Sequence, residues 1–283
     1  MKLLRYGPRG AEKPGLLDSE GRIRDLSGTV ADIDPAVLAS GLDAIRQLDP
    51  ATLPLVSGDV RLAEPVGNVG KFLCIGLNYR DHAAESGMAI PTEPILFTKA
   101  TSAIIGPNDE VLIPPTSRKS DWEVELGVVI GKEARYVPRE KALDHVAGLC
   151  VVNDLSEREY QLERGGQWDK GKGCDTFGPF GPYLVTLDEV ADINALGLWL
   201  EINGERMQTG TTADLIFDVP FLVHYVSQFM SLQPGDIIST GTPAGVGMGM
   251  KPPRFLEEGD VITLGIDGLG EQRQQVRRSV CGA

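Results

Sequence analysis

Hydrophobic positions along the 283-residue chain fall into many short runs rather than long periodic stretches. From Lys71 onward the runs "KFLCIGLN", "PILFTKA", "EVELGVVIG", "HVAGLCVVND", "LWLEING", "DIISTGTP" and "DVITLGID" follow one another, separated by Gly and Pro. Apolar runs of this length between turn residues predict strands. Two segments carry helical spacing instead, one around Pro138 to His145 and one around Asp218 to Met230, "DVPFLVHYVSQFM". Strands and helices do not alternate regularly, which argues against a doubly wound parallel sheet. The expected fold class is mixed α+β and β-rich.

The first part of the chain has a different texture. Residues 1–69 read as a small N-terminal α+β domain and residues 70–283 as the main body. "KLLRYG" and "GLLDSEGRIRDLSG" predict short strands, the second stretch turning at Ser19-Glu20-Gly21. "DPAVLASGLDAIRQL" has a helical apolar pattern, with Asp34 placed as N-cap and Pro35 at the first helical position. The Pro- and Gly-punctuated stretch "DPATLPLVSGDVRLAEPVGNVG" reads as linker or short strands.

Composition narrows the function classes. Hydrophobic residues make up 42% and charged residues 24%, an ordinary soluble globular balance. The net charge of -13 argues against nucleic acid or an anionic membrane as partner, since both need a basic surface. It does not repel metal cations. Arg5 interrupts any apolar leader, and no stretch approaches the roughly 18 apolar residues of a membrane span, so a cytoplasmic protein is expected. Cys74, Cys150, Cys174 and Cys281 are scattered without a C-x-x-C pair. They read as free, buried thiols in a reducing compartment, and a Cys-based zinc site is not expected.

Chemistry concentrates in a few stretches. In "DWEVELGVVIG", residues 121–131, strand alternation places Glu123, Glu125 and Gly127 on one face and Val124, Leu126 and Val128 on the other. Carboxylates at this spacing lie about 7 Å apart at their Cα atoms and can converge on one cation; the competing reading is an edge strand with a solvated acidic face. "HVAGLCVVNDLSERE" ends an apolar run at Asp154, a place suited to a ligand. Asp154 also reads as a helix N-cap, with Glu157 completing a capping box. Three carboxylates without a His or Cys pair favour Mg²⁺, Mn²⁺ or Ca²⁺ over zinc.

In "GLNYRDHAAESG", Asn78 is placed to cap a short helix and Gly87 to end it, and His82 and Glu85 share a face. A Glu that accepts from one ring nitrogen makes the other a better base. Of the three histidines, His145 has only Asp144 beside it and His224 lies in an apolar helix, so His82 is the candidate base. Lys170 and Lys172 sit in the glycine-rich "QWDKGKGCDTFGPFGP", where a lysine could offset a developing oxyanion or simply be solvated. "STGTPAGVGMGM" exposes backbone N–H groups and Thr hydroxyls suited to an anionic or carbonyl ligand, and lacks the Lys and spacing of a P-loop.

The ordered set "NYRDHAAE", "WEVELGVVIG", "VNDLSEREYQ", "KGCDTFGPFGP", "NGERMQTGTTADLIF" and "PGDIISTGTPAGVG" resembles the fumarylacetoacetate hydrolase family over about Lys71 to Val276. The resemblance implies a mixed β-roll behind a small N-terminal domain, a homodimer, and Mg²⁺ or Mn²⁺ held by Glu123, Glu125 and Asp154. It implies that His82 with Glu85 activates water, and that Lys172, Arg158, Gln161 and Thr242 contact substrate oxygens. Ile75 stands where the founding enzyme has a further acidic ligand, so the chain resembles the smaller relatives with three carboxylates. The implied substrate is a 2-oxo or 2,4-dioxo acid whose C–C bond is hydrolysed. The N-terminal stretch is most similar to hydrolases of 2,4-diketo-3-deoxy-L-rhamnonate or L-fuconate, and also to chains called ureidoglycolate lyase. Acylpyruvate hydrolysis, oxaloacetate decarboxylation and a non-catalytic metal- or carboxylate-binding role are the alternatives. The acyl specificity is expected to lie in a lid near Ser86 to Pro94 and in the N-terminal module.

Overall fold

The computed structural model describes residues 1–85 and 87–280. Its main sheet runs, from one edge, through the strands Ile23–Asp25, Lys13–Leu17, Lys2–Tyr6, Gly178–Val185, Val146–Asn153, Val124–Ile130, Ile237–Ser239, Phe72–Gly76 and Ile95–Lys99. Two short strands, Leu62–Ala63 and Ile104–Ile105, attach beside it. A five-stranded sheet follows the order Glu205–Thr211, Gly197–Ile202, Val261–Ile266, Gly270–Arg278 and Val111–Ile113. The β-rich mixed fold expected from the sequence is the fold observed.

The strand Val124–Ile130, which carries Glu125 and directly follows Glu123, is central. It pairs antiparallel with Val146–Asn153 on one side and with Ile237–Ser239 on the other, and every residue of Val124–Ile130 is buried. Val124, Leu126 and Val128 pack in one core cluster with Leu200, Ile262 and Leu264 of the second sheet. Burying side chains of this kind contributes about 1.5–3 kcal/mol each. The opposite face carries Glu125 and, two pairs on, Val129, which clusters with Leu3, Leu26, Leu38 and Ile45. The N-terminal segment therefore packs with the Val129 end of that face, while Glu125 at the other end lines a cavity. Its strands are also continuous with the body: Lys2 pairs with Val185 and Leu3 with Leu184.

Local signals acted largely as their chemistry dictates. The Asp34 carboxylate caps the helix Pro35–Ala39 by accepting from the Val37 N–H at 2.9 Å. The single helix expected there is interrupted, because Gly41 and Leu42 take φ of 82° and 62°, and a second short helix, Asp43–Arg46, follows. The Pro138 segment winds as a 3₁₀-helix, Arg139–His145, and the apolar helix is Val219–Ser227, capped by Asp218 on the Phe221 N–H. Cys74 and Cys150 are buried, but Cys174 is only half-buried; Cys281 lies outside the described residues. No helix among the described residues is long and apolar enough to cross a membrane.

Candidate metal centre and active site

Glu123, Glu125 and Asp154 come together as a buried cluster whose ligand oxygens all lie within 4.8 Å of one another. Strand pairing produces this. Val124 sits opposite Asn153, so the next residues out, Glu123 and Asp154, are neighbours, and the Asp154 N–H donates to the Glu123 carbonyl at 2.9 Å. The solvated-edge reading of the acidic strand is thus overturned by its central position. The capping-box reading of Asp154 fails as well. Ser156–Glu157 is a strand paired to Ser120–Asp121, and the Glu157 carboxylate accepts from the Lys119 N–H at 3.2 Å.

Cations from distant parts of the chain surround two of the three carboxylates. Lys172 Nζ donates to Glu123 Oε2 and to Asp154 Oδ2, at 2.7 Å each. Lys99 Nζ donates to Asp154 Oδ1 at 2.6 Å and to the Leu155 carbonyl at 2.9 Å. Arg158 donates to Glu123 Oε1 at 2.6 Å, to Asp121 Oδ2 at 2.8 Å and to Gln161 Oε1 at 3.1 Å. Burial by itself would raise the Glu123 pKa, but Lys172 and Arg158 outweigh it and hold the group below the usual carboxylate range. Burial likewise opposes the Lys172 ammonium, and Asp154 and Glu123 overcome it, so Lys172 stays charged.

Glu125 is different. Its Oε2 accepts from the Ser239 hydroxyl at 2.5 Å and the Gly241 N–H at 2.9 Å, and among the described residues no basic side chain is hydrogen-bonded to it. Burial, then the charges of Asp154 and Glu123, push its pKa well above the usual value. A buried carboxylate without a cation is costly. A divalent ion ligated by Glu125 with Glu123 and Asp154 would supply the missing positive charge, and an all-oxygen donor set suits Mg²⁺ or Mn²⁺. The residues present therefore fit a metal.

His82 and Glu85 sit at the same site. They lie on the short helix Arg80–Glu85, with His82 Nδ1 3.3 Å from Glu85 Oε2. Glu85 is itself fixed by the Gly245 N–H, at 3.0 and 3.2 Å to its two oxygens. Asn78 does not cap this helix. Its amide donates to the Phe217 and Thr240 carbonyls, while Gly87, with φ of 65°, ends the turn as expected. His82, Glu123, Glu125, Arg158, Gln161 and Lys172 line one cavity of about 250 Å³, and Thr242 lines it as well. The Thr242 hydroxyl donates to the Val124 carbonyl at 3.0 Å and accepts from Gln208 Nε2 at 2.8 Å. Of the two loop lysines, Lys172 is buried at the cluster, whereas Lys170 is exposed and donates to the Arg164 carbonyl. Ile75 also lines the cavity as an apolar residue.

The glycine-rich loop does not offer its N–H groups to a ligand. Gly241 donates to Glu125, Gly245 to Glu85, and Gly247 and Met248 to Asp121 at 2.7 and 3.0 Å. The anions it binds are the protein's own carboxylates, and the loop ties the helix of His82 to the metal cluster. Gly241 is required for this: at φ of 101°, a Cβ there would meet Asn78 Cβ at 2.7 Å.

Sequence reasoning missed Lys99, Asp121 and Ser239. A lysine ending the apolar run "PILFTKA" was the available signal for Lys99, by the same logic that singled out Asp154. Nothing local marks Asp121 or Ser239. Lys99 is fully buried, so Lys99→Met leaves Asp154 Oδ1 unpaired. The variant should lose about 3 kcal/mol in metal-free chemical denaturation, and Mn²⁺ should recover part of the loss by replacing the missing charge. A denaturation midpoint equal to that of the unaltered chain would remove this role.

Residues 71–277 match the family described as fumarylacetoacetate (FAA) hydrolase, C-terminal. A Burkholderia orbicola protein, whose name goes no further than a provisional "hydrolase", is 63% identical over 281 residues, covering 99% of this chain and all of that one. The fumarylacetoacetate hydrolase of Exiguobacterium antarcticum has a solved structure similar at a TM-score of 0.89 and 36% identity, covering 99% of this chain and 100% of that one. Maleylpyruvate hydrolase from Sphingobium sp. SYK-6, solved with manganese(II) and pyruvate, matches at a TM-score of 0.83 and 30% identity over 99% of this chain and 100% of that one. With the family match spanning most of its length, and with Glu123 and Glu125 of the carboxylate cluster lining one cavity with His82, this chain belongs to the fumarylacetoacetate hydrolase family.

Proposed function

We propose that the protein is a divalent-metal-dependent hydrolase that cleaves the C3–C4 bond of a 2,4-dioxo acid and releases pyruvate. The observation that carries this reading is the buried three-carboxylate cluster, of which Glu123 and Glu125 line the same cavity as His82, the ring paired with Glu85. The manganese and pyruvate in the structure of the similar maleylpyruvate hydrolase support it.

When bound by Glu123, Glu125 and Asp154, a divalent ion supplies Lewis acidity that lowers the cost of negative charge on a 2-oxo acid. The chain's own residues do the rest. Glu85 accepts the Nδ1 proton of His82, so the lone pair lies on Nε2. Water gives a proton to Nε2 as its oxygen bonds to C4, the C4=O π pair moving onto the C4 oxygen until that carbonyl re-forms. The C3–C4 bond then breaks, its electron pair passes to C3 as the enolate of pyruvate, and that carbon takes up a proton while the acyl group leaves as a carboxylic acid. Lys172 remains an ammonium beside the cluster and offsets this charge, with Arg158 holding Glu123 in place. The same reading includes a homodimer, for which sedimentation should give twice 30.5 kDa.

Dialysis against EDTA should abolish pyruvate release from an acylpyruvate panel, and added Mg²⁺ or Mn²⁺ should restore it. Full activity in EDTA would sink the metal-dependent reading. Including oxaloacetate in the panel and measuring CO₂ separates hydrolysis from decarboxylation.

A further inference from the structure

The cavity is two-sided. Its charged and hydrogen-bonding groups gather at the metal cluster. The remaining wall is apolar, with Leu77, Met88, Phe97, Leu162, Trp168 and Met248. The apolar wall begins directly beside the polar end, since Lys172 Nζ lies 5.0 Å from the centre of the Phe97 ring. Trp168 meets Phe97 edge-on, with ring centres 5.3 Å apart and planes at 64°. The indole rests on Gly76, where a Cβ would approach it to 2.6 Å, so the backbone there is kept bare to seat the ring. At the rim, Met88 and Leu162 are 50% and 44% exposed. Large apolar side chains left open around a concave site mark a ligand surface.

Among the described lining residues, both cationic side chains, Lys172 and Arg158, are already paired with the protein's own carboxylates. Lys172 is held by Glu123 and Asp154, and Arg158 by Asp121, Glu123 and Gln161. Among the described residues of the apolar wall the Trp168 indole N–H is the one strong side-chain donor and there is no strong acceptor, so most groups of a polyhydroxylated chain would be left unpaired, and unpaired buried polar groups are costly.

We infer that the substrate's group beyond C4 is an alkyl or aryl chain rather than a polyhydroxylated or carboxylated one, held by Trp168, Phe97, Leu77 and Met248 and covered at the rim by Met88 and Leu162. This rests on the 2,4-dioxo acid reading and replaces the sugar-acid substrate expected from the N-terminal resemblance. It also separates this chain from an enzyme for maleylpyruvate, whose acyl group ends in a carboxylate.

The test uses the full chain loaded with Mn²⁺. Unbranched 2-oxo acids from 2-oxobutyrate to 2-oxooctanoate lack the 4-oxo group and cannot be cleaved, so calorimetric titration reads the pocket alone. Affinity should rise about fourfold per added CH₂ until the wall is covered, and 2-oxohexanoate should bind more tightly than 2-oxoadipate. Leu162→Asn, at an exposed rim position, should flatten that slope. Affinity independent of length, or tighter binding of 2-oxoadipate, overturns the inference. Pyruvate release from acylpyruvates is measured in parallel. Length-dependent affinity without any release overturns the hydrolase reading and leaves the apolar pocket standing. Release with flat affinity does the opposite, and no binding of any 2-oxo acid overturns both.

Discussion

Metal-free Glu125→Gln should melt at a higher temperature than the unaltered chain at neutral pH, yet be inactive and gain nothing from Mn²⁺. The reason is the uncompensated carboxylate. Glu125 is buried beside two other acids, and among the described residues its hydrogen bonds come from the Ser239 hydroxyl and the Gly241 N–H rather than from a basic side chain. Its folded pKa lies well above the usual value, because burial and then Asp154 and Glu123 disfavour its charge. The folded state therefore holds a proton that the unfolded state releases. The stability from this group is complete below the ordinary glutamate range and is lost as pH rises through the raised folded value. Metal-free protein should melt progressively lower from about pH 4.5 upward on this account, and the Gln variant should lack that component. The amide keeps an acceptor oxygen for Ser239 and Gly241 while removing the charge. A gain of about 1–2 kcal/mol, or about 2–8 °C, is expected. Thermal melts in EDTA across pH, repeated with Mn²⁺, measure it. A variant that melts lower than its parent in EDTA would show that Glu125 is not strained by its charge.

His82→Ala should lower kcat by about 100- to 10,000-fold, the range expected for loss of a general base. His82 is buried beside the cluster but is not one of the three carboxylate ligands, so its removal should leave the Mn²⁺-induced rise in melting temperature in place. That second readout separates loss of the base from loss of the metal. Glu85→Gln should fall between the variant and the unaltered chain, because the Gly245 N–H still finds an acceptor while the His82 tautomer is no longer enforced. A near-normal rate for His82→Ala takes His82 out of the mechanism.

Several site features were legible before any coordinates. Residues two apart on a strand share a face, so Glu123 and Glu125 had to point together once the segment was extended. Residues three apart on a helical turn meet, so His82 and Glu85 had to be neighbours. Other features were ambiguous because local rules allow two outcomes. Asp154 is as good an N-cap as a ligand when only its neighbours in sequence are considered, and cross-strand pairing to Glu123 decided against the cap. The glycine-rich loop was legible as an anion binder, but its anions turned out to be Asp121, Glu85 and Glu125 of the same chain. The 35–46 helix broke because Gly41 and Leu42 adopt positive φ, which spacing alone did not reveal.

By itself the sequence determined which acids stand two apart in an extended segment and which histidine has an acidic partner one helical turn away. Those are properties of spacing and residue type. Only the tertiary structure decided which acid has a cationic partner. Lys99 and Lys172 reach Asp154 from 55 and 18 residues away, and Arg158 reaches Glu123 from 35. Among the described residues Glu125 has no such hydrogen-bonded partner, and its carboxylate is held by the Ser239 hydroxyl and the Gly241 N–H. Coulomb energies depend on distance and burial through space, which is why Glu123 and Glu125, alike in sequence, end with opposite pKa shifts.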